Sequence, residues 1–429
     1  MHTAYRIVAW VSHRLPLPAS KLAESLAGRR GAPEQWRAWA DHHRREGRLL
    51  WLHAASVGEA LAAEPVVRRL RAALPGLQVV LTHTSPSISH RNPLAGADHA
   101  DYLPLDEPRP IARTLAALRP DLLVFSRGDI WPELVRRAHV RGVLLAVIGG
   151  TVRPRSRRLR WPARAVLRPA CRQLAYVGAV SEGDAERWRR LGVPADRIEV
   201  TGDPRHDLLA EREVRVEAFE PLRAWARAWV IVAGSVERAD ERVVLGAAAT
   251  LVSDPTIRWL VVPHDPSAAA VRRLLAAARS RGLAAAPWSG AGSPPGDAVL
   301  LVVTTRGLLA DLYTLGSVAY VGGGFRRGTL HAVAEPAVLG LPVLFGPRWQ
   351  EHRDAAALAS CGGGAGLSPG AQVDSLVAAL RNWQWHPEQR IEAGCRARTV
   401  IATGAADRSA AALVRIIPRP LPPPRRITG

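Results

Sequence analysis

Residues 49–70 read LLWLHAASVGEALAAEPVVRRL. Leu49 to Ala55 is an apolar run of strand length, Ser56-Val57-Gly58 makes a tight turn, and Glu59 opens an amphipathic helix. A strand that runs straight into a helix is the repeating unit of a parallel sheet. The pattern continues outward: from about residue 48 to 202 the runs QVVLT, DLLVF, GVLLAVIGG and LAYVGAV alternate with helical stretches. A second series starts with WVIVAGS near residue 229 and continues through RWLVVPH, AVLLVVT, SVAYVGGG and LPVLFGP. The class is therefore α/β, with two Rossmann-like doubly wound domains. In such sheets ligands bind at the carboxyl ends of the strands, which for tandem units predicts a crevice between the domains.

The expected boundaries are an N-terminal helical segment over residues 1–47, a first domain over 48–211, a second over 229–405 and a basic, proline-rich tail over 406–429. Arg212 to Ala228 (REVRVEAFEPLRAWARA) is charged, carries one proline and reads as the connection. From Pro418 the tail reads PRPLPPPRRITG, an extended composition with no catalytic part.

With 48% apolar residues the chain can build real cores, and its formal charge of +20 is almost wholly arginine. A cationic surface of that kind favours an anionic partner: a nucleic acid, an anionic membrane or a phosphorylated substrate. Neither an aromatic-interleaved RNA pattern nor zinc-finger spacing is present, which argues against nucleic acid. Cys171, Cys361 and Cys395 are far apart and odd in number, so the sequence predicts no disulfide framework and no metal site. The first apolar run, Tyr5 to Val11 (YRIVAWV), is far shorter than a spanning helix and lacks a cleavage site. It fits an interfacial helix, with Arg6 and Arg14 facing lipid phosphates, or an ordinary surface helix.

Several residues carry chemistry. Glu59 follows a strand's carboxyl end; it suits a general base, and equally a first-turn acid favoured by the helix dipole. GGGFRRGTLHAVAEPAVLGLPVLFGP, residues 322–347, places Gly322, Gly323 and Gly324 after a strand and before a helix expected from about Leu330. Such a loop lets backbone amides cradle a phosphate, or simply makes a tight turn; Glu335 follows where it can reach ribose hydroxyls. Ser235 in AGSVERADE reads as a helix cap or a phosphate contact. Arg205 in TGDPRHD suits a leaving phosphate, or a loop ion pair with Asp207. His264 and Asp265, adjacent in VVPHDP, lack a third ligand nearby and do not suggest a metal.

Taken in order, the segments KLAESLAGRRG, WLHAASVGEALAA, YLPLDEP, RPDLLVFSRGDIWPEL, AVSEGDAERWRRLG, VTGDPRHD, VAGSVERADE, LLADLY, VGGGFRRGTLHAVAEPA and GLPVLFGP resemble the Kdo transferases. These are two-domain glycosyltransferases of the GT-B class that use CMP-Kdo as donor. The resemblance implies that Glu59 is the general base and that Arg205 takes the place of a basic residue, usually lysine, that stabilises the transition state. It puts His331 and Glu335 at the two ends of a motif beside the donor nucleotide. His264, Asp265 and the Gly307 region are likewise carried over to CMP contacts.

There are departures. Arg127-Gly128-Asp129 stands where the family has two glutamates, so that Asp129 keeps one carboxylate as a stabiliser. Thr151 stands for a common arginine, Leu308 for a glutamate and Ala332 for an asparagine.

The resemblance thus implies an inverting, metal-independent transfer without cofactor from CMP-Kdo to a lipid A precursor, at the cytoplasmic face of the inner membrane. A GT-B-like nucleotide-sugar epimerase and a non-catalytic nucleotide or lipid binder are the alternatives.

Overall fold

The computed structural model describes residues 5–6, 20–88, 94–212, 219–226 and 229–417. The chain forms two compact units, residues 1–208 with 403–429, and residues 209–402.

The first unit is built on a seven-stranded sheet in the order β3-β2-β1-β4-β5-β6-β7, all neighbours parallel. The strands are β1 Leu49–His53, β2 Gln78–His83, β3 His99–Tyr102, β4 Leu122–Ser126, β5 Leu144–Gly150, β6 Tyr176–Ala179 and β7 Ile198–Val200. Central strands are buried along their whole length because both faces are covered: all five residues of β1 and of β4 are buried. The order reverses between β1 and β4, and that switch point is where doubly wound sheets open a crevice at their carboxyl ends.

The helix Lys21–His43 belongs to this core. Trp36 is fully buried and its Nε1–H donates to the Tyr102 carbonyl at 2.9 Å. The boundary expected at residue 47 therefore cuts through the first unit. Arg6, expected to face lipid phosphates, instead forks onto Glu133 with two 2.9 Å bonds, and Tyr5 donates to Asp106 at 2.7 Å. Arg14 lies outside the described residues.

The tail expected from residue 406 is corrected in its first part, while residues 418–429 lie outside the described residues. Ala405–Ile416 is a helix that returns to the first unit, burying Ala406, Ala410, Ala412 and Leu413 against the strands and the helix Val57–Ala73. Asp207 accepts the Gly404 and Ala406 amides, and Arg408 donates to the Thr201 carbonyl. Alanine and leucine at helical spacing carry enough apolar surface to hold this helix, although the basic residues around them suggest a solvated tail.

The second unit has a sheet in the order β10-β11-β9-β8-β12-β13-β14, again all parallel. Its strands are β8 Trp229–Val236, β9 Ile257–Pro263, β10 Ala285–Trp288, β11 Leu300–Val303, β12 Val318–Val321, β13 Val343–Phe345 and β14 Gly364–Gly366. Here the switch point lies between β8 and β12. Part of the expected connection belongs to the unit's body: Phe219 and Leu222, at and within the short helix Glu220–Trp225, are buried in its core. Two large apolar side chains outweigh the charged residues around them.

Candidate active site

In the first unit the chemistry gathers at the carboxyl ends of β1, β4 and β7. Glu59 sits in the first turn of Val57–Ala73, which Ser56 caps, and its Oε2 accepts the Ala55 amide at 2.8 Å. Burial pushes the Glu59 carboxyl above the ordinary carboxylate range; Asp129 adds to the rise, while the Ala55 amide, His53 and Arg127 oppose it. Asp129 goes the other way. Burial alone raises it, but bonds from His53 and Trp131 and the charge of Arg158 hold it below its usual value. Two neighbouring carboxyls with affinities driven apart are the pattern of an acid–base site.

His53, at the end of β1 and fully buried, joins them. Its Nδ1 lies 3.1 Å from the Thr82 carbonyl, and its Nε2 lies 3.4 Å from Asp129 Oδ2 and 3.2 Å from the Trp131 indole nitrogen. The same Trp131 N–H reaches Asp129 Oδ2 at 3.1 Å, and the Arg29 guanidinium covers the Trp131 ring at 4.4 Å from its centre.

Arg205 and Arg127 share one anchor. Both guanidiniums donate to Asp203, at 2.8 and 2.9 Å, and Asp203 is 1% exposed. Burial raises the Asp203 carboxyl, yet the two arginines outweigh it and keep it well below the ordinary range. The partner of Arg205 is therefore Asp203, not Asp207, whose oxygens hold the C-terminal helix. Arg127 itself adopts a left-handed backbone (φ 62°), and the next residue, Gly128, is backed by Trp188, where a Cβ would meet the ring at 2.7 Å. A non-glycine residue held in that region marks a position the surroundings over-determine. Thr151 pairs its amide with the Arg127 carbonyl at 2.9 Å.

In the second unit Glu237, His264 and His331 come together past the ends of β8, β9 and β12. His331 Nε2 lies 3.0 Å from Glu237 Oε1, and the His264 ring stacks on His331 with centres 4.3 Å apart. Burial and the His264 ring lower the His331 pKa, with Glu237 opposing them. Asp265 is exposed and pairs with Arg306, next to Gly307, a left-handed glycine after β11 (φ 84°). Glu335 is set among Arg212, Asp311 and Val338; burial raises its pKa and Arg212 opposes the rise.

The glycine loop works differently from the expected cradle. The Gly322 amide donates to the Gly234 carbonyl at 2.8 Å and the Gly323 amide to Asp240 at 3.0 Å, so neither points outward. These glycines serve close packing. A Cβ on Gly322 would lie 2.1 Å from the Ser235 carbonyl oxygen, and one on Gly323 2.1 Å from that of Thr329. The following helix spans Ala334–Val338 rather than starting near Leu330, because the chain stays non-helical while His331 N–H bonds back to the Gly322 carbonyl. Ser235 is not a cap either: it lies within β8 in a left-handed conformation, and Glu237 caps Arg238–Thr250.

The family described as 3-deoxy-D-manno-octulosonic-acid transferase matches residues 24–208. A 3-deoxy-D-manno-octulosonic acid transferase of Bordetella pertussis is 30% identical over 381 residues, 85% of this chain and 86% of that protein. The chain belongs to this transferase family. A second member, from Chlamydophila psittaci, is also 30% identical, over 80% of this chain and 79% of its own length. The fold is shared more widely: the UDP-GlcNAc 2-epimerase of Neisseria meningitidis superposes with a TM-score of 0.62 over 86% of this chain and 100% of the epimerase, at 15% identity. That likeness is one of architecture, the GT-B arrangement of two parallel sheets. The transferase family makes the chain a glycosyltransferase by class.

Four groups of this family member escaped the sequence reading: His53, Asp203, Glu237 and Asp240. Asp240 is fully buried and accepts from Tyr320 Oη–H at 2.7 Å, the Gly323 amide at 3.0 Å and the Glu237 amide at 2.8 Å, so it pins the glycine loop. Burial pushes its carboxyl up to about 6 against those bonds. Unfolded, it titrates near an ordinary aspartate, about 3.9. Between about pH 4 and 6 the folded chain thus holds the extra proton, and stability falls as pH rises through that window. Asp240→Asn keeps an acceptor for the two amides while Tyr320 turns its hydroxyl, and it is expected to flatten this decline. Denaturation midpoints of both proteins across the window check it: equal slopes would remove Asp240 as the cause.

Proposed function

We propose that this chain is an inverting, metal-independent glycosyltransferase that moves Kdo from CMP-Kdo to a lipid A precursor, working peripherally at the cytoplasmic face of the inner membrane. The observation that carries the reading is Glu59: a carboxyl raised by burial, at the switch point of the first sheet, beside an ionised Asp129. In the reaction an acceptor hydroxyl gives its proton to Glu59 as its oxygen bonds to the anomeric carbon, and the bond to the CMP phosphate breaks with its electron pair going to the phosphate oxygen. Arg205 meets the charge gathering on that phosphate, held in place by Asp203, with Arg127 adding to the field. Asp129, fixed by His53 and Trp131, keeps Glu59 basic. On the second unit His264, His331, Gly307 and Glu335 hold the nucleotide, and His331 takes its orientation from Glu237.

The names of the related proteins support Kdo as the sugar. Incubating the purified chain with CMP-Kdo and a tetra-acylated lipid A precursor is expected to give lipid that gains one or more Kdo units, with matching CMP release. If neither appears while a known transferase works alongside, the reading fails.

The pH profile gives a second check. Transfer falls toward acid as Glu59 takes up a proton, and its raised affinity places that limb above the ordinary carboxylate range. Asp129→Asn removes a like charge and is expected to move the limb to lower pH. A limb that stays where it is would show that Asp129 does not act on the base.

A further inference from the structure

Residues 151–172 read TVRPRSRRLRWPARAVLRPACR: eight arginines and no acidic residue. The segment is built onto the first unit. The Val152 amide donates to Asp184 at 2.9 Å, Leu159 is buried, and the helix Ala163–Cys171 buries Ala170 and Cys171. Outward it presents Arg153, Arg155, Arg157, Arg160, Arg164 and Arg168, all exposed and none in an ion pair among the described residues. In their midst Trp161 is 82% exposed, the most exposed large apolar side chain among the described residues. One arginine turns the other way: Arg158 donates to the Gly128 carbonyl at 2.6 Å and lies 3.8 Å from Asp129, tying the segment to the loop beside Glu59.

We propose that this arginine face, with Trp161 at its centre, docks the chain onto an anionic lipid bilayer next to the site of Glu59. The inference rests on the reading of the acceptor as an anionic lipid. Arginines are drawn to anionic headgroups, and an indole settles at the boundary of headgroup and acyl chain, where its apolar body and polar N–H are both accommodated. An isolated tryptophan ringed by unpaired arginines fits that boundary better than bulk water. The tether through Arg158 gives the docking a purpose, since a lipid held there presents its head beside Asp129 and Glu59. Arg6, the other described arginine expected at lipid, is engaged by Glu133 instead.

The experiment is flotation of the full chain with vesicles of phosphatidylglycerol and phosphatidylethanolamine, against vesicles of phosphatidylcholine alone. Binding is expected on the anionic vesicles only, weakening with salt. Replacing Arg157, Arg160 and Arg164 together by glutamine is expected to reduce partition by roughly 100-fold, at about fivefold for each arginine. Trp161→Ala weakens it and Trp161→Phe restores part. Transfer to an acceptor dispersed in detergent micelles is expected to stay unchanged in these variants, which separates docking from catalysis. Variants that float like the parent, or a parent that binds both vesicle types equally, would overturn the proposal, as would vesicle binding competed away by single-stranded RNA. If the parent shows no transfer in micelles while the variants lose vesicle binding, docking stands and the transfer reading fails.

Discussion

Glu59→Gln is expected to cut the transfer rate by about 10²–10⁴-fold, the usual worth of a positioned base. The amide has nearly the carboxylate's shape and its oxygen can still accept the Ala55 N–H, so the turn after β1 stays formed. Ser126, whose hydroxyl donates to the Glu59 backbone carbonyl at 2.8 Å, is untouched. Binding of CMP, assigned to the second unit, should be unaffected, so the loss appears in turnover and not in nucleotide affinity. Single-turnover rates with CMP binding by calorimetry check both halves. A variant that binds CMP and transfers sugar at the parent rate removes Glu59 from the chemistry.

The second large effect belongs to Asp203. Its carboxylate, 1% exposed, is the one side-chain partner of Arg127 among the described residues and sits between two guanidiniums. Removing one member of a buried pair leaves the other charge uncompensated, and here Asp203→Ala strands Arg127 inside. The expected cost is about 3 kcal/mol, the lower end for buried pairs because Arg205 is partly in solvent. For a unit of this size that is a fall of roughly 6–12 °C in the melting temperature. Transfer also falls, because Arg205 loses the two bonds its guanidinium makes to Asp203. Scanning calorimetry of the full chain checks the first claim; an unchanged transition would show that the arginines find other anchors.

The sequence reading of the sheets failed in one consistent place. The runs that announced strands, LLWLHAA, QVVLT, DLLVF, GVLLAVIGG and LAYVGAV in the first series, became β1, β2, β4, β5 and β6; the strands without such a run are β3 and β7, the two edges. The second sheet repeats this: β10 and β14, unannounced, are its edges. An edge strand has one neighbour and needs less apolar surface, so HADY, IEV and GAG carry no run to recognise.

The site was legible to the same degree. Glu59 could be found because a strand, a glycine turn and a helix start lie in consecutive residues. The partners that set its behaviour could not: His53 meets Asp129 across 76 positions, Arg127 meets Asp203 across 76, and Glu237 meets His331 across 94. The glycine loop misled for a related reason. Sequence shows that glycine permits close approach, whereas only the fold shows that Asp240 and the Gly234 carbonyl are what approach.

The helix Ala405–Ile416 gives the chain an order of events during synthesis. Residues up to 208 hold every strand of the first sheet, yet the face made by β5, β6 and the helix Val57–Ala73 packs against a helix that emerges only after the whole second unit. Until then Leu413 and its alanines are missing from that face, and the nascent first unit waits with an open apolar surface while the second is made between its two parts. Releasing the chain at residue 402 would therefore leave the first unit without that cover.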